Sequence, residues 1–226
     1  MTRPYTVRPN DGSDYSISTS GEGTDPATSR HRCARRPARK WRRSLPYPRG
    51  VTWPTSSFLI VVSGIPGAGK STVGRAIADR LNATLLDKDD FLETLFETDH
   101  GQRDELSRRA DELFLEAVAQ QPPAVAVSFW RRSELSENSG TPIDRFPAGR
   151  QIVEVWCDCP VDVAHRRFFS RSRHASHRDE ERDRADTLDQ LRQVAALGPL
   201  GLGRLVRVDT TEPPDADALI GSLALG

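Results

Sequence analysis

The feature that most constrains this chain is a glycine-rich loop that directly follows a run of β-branched residues. The stretch reads VVSGIPGAGKST over residues 61–72, and its central part fits the pattern GxxxxGK[ST]. Glycines let the backbone curl so that successive N–H groups point inward, and a following helix adds its positive end. Such a loop is suited to holding phosphate groups. The residues predicted to bind a nucleotide are Gly64, Ile65, Pro66, Gly67, Ala68, Gly69, Lys70, Ser71 and Thr72.

Two side chains at the end of this loop have specific predicted roles. Lys70 is predicted to reach the β and γ phosphates, and the Ser71 hydroxyl is the predicted protein ligand of a metal ion, Mg²⁺. The predicted cofactors are therefore ATP and Mg²⁺. The alternative is a glycine-rich turn whose lysine is only solvated, but the strand pattern before the loop and the helix pattern after it favour the nucleotide site.

Five short apolar runs alternate with helical patterns from residue 58 onward. Runs without strict polar alternation suit strands that are covered on both faces, as in a parallel sheet. The alternation of strand and helix predicts a three-layer α/β fold. The predicted strands are 58–63, 84–87, 124–128, 152–157 and 205–208. Between the second and third of them, the apolar spacing from Leu106 to Val118 predicts one helix, which Pro122 and Pro123 end.

The neutral net charge of the 226-residue chain hides two unlike segments. Residues 1–57 carry 11 Arg and Lys against 4 Asp and Glu, and since the whole chain has 32 of each, residues 58–226 carry 21 basic and 28 acidic residues. The first segment is rich in Ser, Thr, Pro, Gly and Arg and has no sustained apolar periodicity, which predicts a disordered basic tail. Its arginines can alternatively dock on phosphates or an acidic surface. Residues 58–226 are the predicted folded domain.

The sequence favours a cytoplasmic protein without a membrane partner. No run of 18 apolar residues occurs, and no apolar run typical of a signal sequence lies near residue 1. The three cysteines, Cys33, Cys157 and Cys159, are odd in number and lack CxxC spacing. We expect them to be reduced, with Cys157 acting as a small apolar side chain.

Missing motifs narrow the class of phosphate-binding protein. A motor or helicase normally ends its third strand in Asp-Glu, whereas the run AVAVS ends here at Ser128. A GTPase needs the guanine-reading string Asn-Lys-x-Asp, which this sequence lacks. Small size and a single predicted core suit a kinase better.

Four stretches together resemble a known family. The strings SGIPGAGKST, LLDKDDFLETL and VRVDTTEPPD, with an Arg-rich segment before the last of them, resemble the P-loop small-molecule kinases of the adenylate kinase group. The branch with the most similar pattern includes chloramphenicol phosphotransferases, zeta toxins and the 5′-kinase domain of polynucleotide kinase. The similarity covers residues 58–221. It implies a P-loop NTPase fold with a five-stranded parallel sheet of order 2-3-1-4-5, helices on both faces, an Arg-rich lid, and ligands at the carboxyl ends of the strands.

The resemblance also assigns a catalytic carboxylate. The second strand in these kinases commonly ends in an aspartate that accepts the proton of the substrate hydroxyl, and Asp89 matches that position. Asp87 and Asp90 are close neighbours that can be confused with it. The alternative is structural, because Asp and Glu favour the first turn of a helix.

The Arg-rich segment after the fourth strand is the predicted lid. By the family's pattern, Arg171 and Arg173 are catalytic, closing over the phosphates and neutralising charge during transfer. The alternative is a solvated helix whose arginines pair with neighbouring acidic residues. His174 and His177 have a spacing that can hold a metal on a helix, although lid contacts or plain surface histidines are the favoured interpretations.

Two departures from the family's pattern bear on the acceptor. Polynucleotide kinases carry an arginine three residues beyond the base, where this chain has Leu92. The predicted folded domain is also acidic, whereas a nucleic-acid groove needs a basic surface. The sequence therefore disfavours a nucleic-acid partner. Ser128 stands where many relatives carry an acidic residue, which leaves metal ligation to Ser71 and water. Arg131 and Arg132 are expected either to grip an anionic acceptor or to face water.

These features predict an ATP- and Mg²⁺-dependent phosphotransferase that acts on a hydroxyl of a small molecule. The alternative is a nucleotide-binding switch or slow ATPase that acts on a protein partner. Asp89 separates the two hypotheses, because a switch has no use for a carboxylate aimed at an acceptor hydroxyl. The sequence identifies neither the acceptor nor an oligomeric state.

Overall fold

The structure, a computed structural model, describes residues 58–99, 101–132, 134–135, 140–146 and 149–223. The predicted tail, residues 1–57, lies outside the described residues. Within those residues the strands are β1 (Phe58–Gly64), β2 (Thr84–Asp87), β3 (Ala124–Val127), β4 (Gln151–Asp158) and β5 (Arg204–Asp209). The helices are α1 (Lys70–Leu81), α2 (Lys88–Thr98), α3 (Arg103–Gln120), α4 (Val161–Ser170), α5 (Arg184–Leu197) and α6 (Ala216–Leu223), and two 3₁₀ turns, Ala175–His177 and Asp179–Glu181, lie between α4 and α5.

The five strands form one sheet in the order β2-β3-β1-β4-β5, and every pairing is parallel. This confirms the predicted fold class and strand order. The central strand, β1, pairs through Val62 with Val127 on one side and Val155 on the other. Strand order reverses beside β1, and in open parallel sheets ligands bind in the crevice at that point, outside the carboxyl ends of the strands.

Strand β1 is buried on both faces, which explains its lack of polar alternation. Ile60 faces a core that α1 contributes to, while Leu59 faces a second core that contains Phe114 of α3. Full burial of a Leu or Ile side chain stabilises a fold by about 1.5–3 kcal/mol. The sheet is therefore the middle of three layers, as the apolar runs predicted.

Helix α1 follows the glycine loop because its apolar residues recur on one face. Val73 and Ile77 are four residues apart and fully buried against the sheet. The helix ends at Asn82, which adopts a left-handed conformation with φ of 50° and donates its N–H to the carbonyl of Ala78.

Two helices connect β2 to β3, where the sequence pattern predicted one. Helix α3 ends at Gln120, just before Pro122, as predicted. Helix α2 is additional, and its apolar face is short, with Leu92 and Leu95 as its buried residues. This brevity explains why periodicity alone did not reveal it.

Cys157 and Cys159 are buried and free of disulfides, as expected. Burial raises the pKa of the Cys157 thiol to about 12, so it acts as an apolar side chain. Among the described helices, none combines the length and apolar character that a bilayer span requires.

Candidate active site

The glycine loop between β1 and α1 needs glycine at two positions for different reasons. Gly67 has φ of +85°, and a Cβ there would lie 2.2 Å from the carbonyl oxygen of Ala164 in α4. Gly69 has φ of +86° and is the N-cap of α1. Both conformations are costly for residues with a Cβ. The loop therefore keeps its backbone close to α4, and the Ala68 N–H bonds to the carbonyl of Ile65 within it at 3.1 Å.

The first turn of α1 presents unpaired backbone donors at the predicted phosphate site. The first N–H groups of a helix have no intrahelical acceptor, and no side chain caps them here. The first intrahelical bond in this turn runs from Val73 N–H to the carbonyl of Gly69, at 3.0 Å. The helix N-terminus is thus suited to bind an anion.

Lys70 lies over the loop and is partly buried. Its Nζ donates hydrogen bonds to the carbonyl oxygens of Gly64 and Ile65, each at 3.1 Å. Burial lowers the pKa of Lys70 to about 8. A phosphate placed in this loop would compete with these carbonyls for the ammonium group and restore its full charge.

Asp87, the last residue of β2, lies beside Ser71. It is 7% exposed and accepts a hydrogen bond from the backbone N–H of Asp89 at 3.2 Å, and the nearby Ser71 side chain favours its charged form. Burial, and then the negative charge of Asp89, raise the pKa of Asp87. From the sequence, Asp87 is predicted only as a close neighbour of the catalytic base, Asp89. The signal that locates it is its place at the carboxyl end of a buried strand.

Ser71 and Asp87 fit a Mg²⁺ ion. Mg²⁺ is usually held by one or two carboxylates with phosphate and water oxygens, and this pair supplies a hydroxyl and a carboxylate without a dedicated cage. A divalent cation would also compensate the buried negative charge of Asp87. No group of three His, Cys, Asp or Glu side chains suited to a metal occurs in the described part of the chain.

Asp89 and Arg173 form an ion pair across 84 residues of sequence. Arg173 Nη2 donates to Asp89 Oδ2, and Arg173 Nη1 lies 3.5 Å from Asp179 Oδ2. The Asp89 side chain is 44% exposed and that of Arg173 only 17%. The predicted base therefore stays open to solvent on one side while the lid contacts it on the other. Asp90 is exposed.

Arg171 belongs to the same cluster. Its guanidinium lies over the ring of Phe168, with 5.1 Å from Cζ to the ring centroid. Burial, followed by the positive charge of Arg173, lowers the pKa of Arg171, while Asp89 and Asp87 oppose that shift. The structure thus brings together all the predicted catalytic side chains and Ser71, although their roles remain predictions.

The segment after α4 is a folded loop with two 3₁₀ turns, so the alternative of a solvated helix is wrong in its geometry. Arg173 does pair with Asp179, as that alternative suggested, but it also contacts Asp89. The two lid histidines contact α2: His177 Nε2 lies 2.7 Å from Glu93 Oε1, and His174 Nε2 lies 3.7 Å from a second α2 carboxylate. These are lid contacts, one of the two interpretations favoured from sequence.

Arg132 neither grips an acceptor nor faces water, so both expectations for it are wrong. It is 9% exposed, lies over the ring of Trp156, and donates to the carbonyl oxygens of Gly198 and Pro199. These bonds hold the loop that leads from α5 into β5. Arg132 is therefore a structural residue.

Glu154 of β4 holds the same loop and was not recognised from sequence. It is fully buried and accepts a hydrogen bond from the Ser63 hydroxyl at 2.6 Å. Its two oxygens also accept from the backbone N–H groups of Leu200, Gly201 and Leu202, at 2.7, 2.9 and 3.2 Å. Because Ser63 directly precedes the glycine loop, this carboxylate fixes the end of β1.

Ser128 takes part in a buried network rather than in the metal site. Its hydroxyl lies 2.7 Å from Thr141 Oγ1, which donates to Asp111 Oδ1 at 2.7 Å. Lys88 Nζ lies 3.7 Å from the same carboxylate. The network ties the segment after β3 to α3. Because residue 128 is a serine and supplies no carboxylate, Asp87 is the acidic side chain that lies beside Ser71.

The loop after β5 is held by α4. Arg167 donates to the carbonyl oxygens of Thr210 and Thr211 at 2.7 and 2.6 Å. Arg167 therefore supports the fold rather than the lid.

Comparison with known proteins finds several relatives that are each described as a kinase. Shikimate kinase of Azobacteroides pseudotrichonymphae is 28% identical over 96 residues, covering 37% of this chain and 56% of that protein. Shikimate kinase of Thermobifida fusca is 41% identical over 75 residues, covering 30% of this chain and 44% of that protein. The chain thus spans about half the length of these two relatives. A solved structure described as a "putative kinase" from Chloroflexus aurantiacus J-10-fl has a TM-score of 0.57 and 25% identity, covering 74% of this chain and 96% of that one.

The match to a family model is broader. The model of AAA_33, described as an AAA domain, matches residues 59–197, more than half of the chain. Those residues begin in β1, include the glycine loop and the lid, and end with α5. The chain therefore belongs to the AAA_33 family of AAA domains.

Proposed function

We propose that this protein is an ATP- and Mg²⁺-dependent phosphotransferase that moves the γ-phosphoryl group of ATP to a hydroxyl of a small molecule. The observation that carries the proposal is the position of Asp89. It is a partly exposed carboxylate at the carboxyl edge of the sheet, in electrostatic contact with Lys70 and paired with Arg173 of the lid. Such a group suits an acceptor hydroxyl, and a nucleotide switch does not need one.

The proposed reaction breaks the bond between the γ-phosphorus and the β–γ bridging oxygen and forms a bond from that phosphorus to the acceptor oxygen. Asp89 accepts the proton that the acceptor hydroxyl loses. Lys70, Arg171 and Arg173 stabilise the charge on the transferred group and the leaving ADP, together with the N–H groups at the start of α1. When the acceptor hydroxyl binds, the ion pair between Arg173 and Asp89 must either break or leave one Asp89 oxygen available to the hydroxyl.

Ser71 and Asp87 would hold the metal in this scheme. When bound, Mg²⁺ supplies positive charge to the β and γ phosphate oxygens. The chain's own contribution is to place the Ser71 side chain beside the Asp87 carboxylate.

The acceptor we propose is a small hydroxylated compound, in agreement with the naming of two relatives as shikimate kinases. We also place the protein in the adenylate kinase group, in the branch that resembles chloramphenicol phosphotransferases, zeta toxins and polynucleotide 5′-kinase domains. The buried thiols of Cys157 and Cys159 agree with a cytoplasmic location, which stays a prediction.

A direct test measures ADP release from the purified protein with Mg²⁺ and ATP against a panel of hydroxylated metabolites and antibiotics, shikimate included. The proposal expects at least one compound to stimulate ADP release and to gain a phosphoryl group by mass spectrometry. Lys70→Met serves as the inactive control, because it removes the cation at the β and γ phosphates. Stimulation by a protein partner and by no small molecule would instead support the switch.

A further inference from the structure

The lid, defined here as residues 171–183 between α4 and α5, contacts one face of α2 through three side-chain pairs. Carboxylates recur every four residues along this helix and therefore lie on the same face. Each of them faces a basic side chain of the lid. The pairs, in order along α2, are Asp89–Arg173, Glu93–His177 and Glu97–His174.

The middle pair is the least exposed of the three, with the His177 side chain 5% and the Glu93 side chain 37% exposed. His177 Nε2 lies 2.7 Å from Glu93 Oε1. A carboxylate only accepts, so Nε2 donates this hydrogen bond. The Glu97–His174 pair is longer and more exposed. Its Oε1 and Nε2 atoms are 3.7 Å apart, and the Glu97 side chain is 68% exposed. Exposed pairs of this kind contribute little, whereas a hydrogen bond to a charged group from a buried donor such as His177 contributes more.

The backbone around His177 is equally well held. Ser176 is fully buried, and its carbonyl accepts from Arg103 Nε of α3 at 3.1 Å. The N–H groups of His177 and Arg178 bond to carbonyls inside the lid, at 3.1 and 3.2 Å. The turn Ala175–His177 thus docks between α2 and α3 as a compact unit.

Docking of this turn also determines where Arg173 lies, because Arg173 directly precedes the segment that leads into the turn. We infer that Glu93 and His177 are positioning residues: their hydrogen bond docks the lid on α2 and thereby holds Arg173 against Asp89. The inference rests on the proposed kinase function for its effect on transfer. Neither side chain has a described contact with Lys70, Ser71 or Asp87.

Hydrogen exchange on the free protein tests the docking without reference to activity. Glu93→Ala and His177→Ala should each speed exchange of the His177 and Arg178 amides by about tenfold, the loss expected when a partly buried hydrogen bond to a charged group is removed. Glu97→Ala, one turn further along α2, is the matched control and should leave these amides within about twofold of wild type. Unchanged exchange in both Glu93→Ala and His177→Ala, or an equal effect of Glu97→Ala, would overturn the inference. Should an alanine variant fail to fold, Glu93→Leu and His177→Phe, which also lack the acceptor and the donor, replace it.

Kinetics with an identified acceptor tests the positioning role. Each alanine variant should lower kcat by about tenfold while the KM for ATP stays within a few-fold. The double variant should be no worse than the more damaging single change, since both act through one bond. Glu93→Gln should recover most of the rate, because its amide oxygen still accepts from His177 Nε2. Additive losses or failure of Glu93→Gln to recover the rate would contradict the role.

Faster exchange in a protein that phosphorylates no acceptor would count against the proposed function alone and leave the docking contact established.

Discussion

At the scale of single residues, the protonation state of the Lys70 amine depends directly on its surroundings. The loop buries its amine against the carbonyls of Gly64 and Ile65, and this burial lowers its pKa to about 8. The protein therefore loses the charge of Lys70 within an accessible pH range. Bound phosphates favour the charged form, so the complex keeps the proton to a higher pH than the free protein does.

We predict that ATP affinity falls as pH rises through about 8. Below pH 8 the free protein already carries the charged ammonium, whereas above it a proton must be taken up on binding, so affinity should drop by about tenfold between pH 7 and pH 9. Isothermal titration calorimetry in buffers of different ionisation enthalpy measures both the affinity and the proton uptake. In Lys70→Arg the guanidinium stays charged, and the pH dependence over this range should vanish. An affinity that is constant from pH 7 to pH 9 in the wild type would contradict the assignment.

Asp89 is the residue whose replacement best separates a kinase from a switch. Asparagine keeps the shape of the side chain but cannot take a proton, so Asp89→Asn should lower acceptor-dependent transfer by about 10²–10⁴ and leave ATP affinity within a few-fold of wild type. Quenched-flow measurement of transfer, with ATP binding measured separately, checks both halves.

The two neighbouring aspartates are built-in controls for that experiment. Asp87→Asn should weaken Mg²⁺-dependent ATP binding, because Asp87 is the buried carboxylate beside Ser71. Asp90→Asn should change little, because that side chain is exposed. Should Asp87→Asn and not Asp89→Asn abolish transfer without affecting binding, the base lies two residues earlier. Full transfer in all three variants would favour the switch.

At the scale of secondary-structure elements, the buried carboxylate of Glu154 links β4 to the end of β1 and to the loop before β5. The group accepts from one hydroxyl and three backbone N–H groups, so each of its oxygens is fully used. A carboxylate with no exposed surface is tolerated because these donors replace its hydration.

Glu154→Gln should destabilise the protein by about 1–3 kcal/mol, because one acceptor oxygen becomes an NH₂ donor that faces donors. Equilibrium urea unfolding measures the loss. Ser63→Ala removes only one of the four donors and should cost less, about 0.5–1.5 kcal/mol. A Glu154→Gln protein as stable as the wild type would show that the hydrogen bonds to Leu200, Gly201 and Leu202 are unimportant.

The elements that sequence predicted and those it did not differ in a physical respect. All five strands were predicted because a parallel sheet is buried on both faces and its strands read as apolar runs. The contact of Arg173 with Asp89 spans 84 residues of sequence, and no local pattern encodes it. Glu154 was overlooked because most of its partners are backbone N–H groups, which leave no trace in a sequence. The glycine loop was predicted because its chemistry is local.

At the scale of the whole molecule, the described residues from β1 to α6 contain both faces of the sheet and every predicted catalytic side chain. Phe58 begins β1 and is buried, with 4% of its surface exposed. The acidic surplus of residues 58–226 and the basic surplus of residues 1–57 are opposite in sign. An electrostatic contact between the two segments is therefore the specific alternative to a separate tail.

We propose that residues 1–57 are dispensable for nucleotide binding, and predict that limited proteolysis cleaves N-terminal to Phe58 and leaves a stable fragment. The reason is that the first segment lacks the apolar residues needed to offset the entropy of ordering it. The fragment should bind ATP with the affinity of the full chain, and the ratio of the two affinities should not change with salt. If the tail docks on the acidic domain instead, the ratio should depart from one at low ionic strength and return toward one as salt screens the contact over a Debye length of about 10 Å at 0.1 M. A fragment that unfolds, or that loses ATP at every salt concentration, would show that part of the first segment belongs to the folded domain.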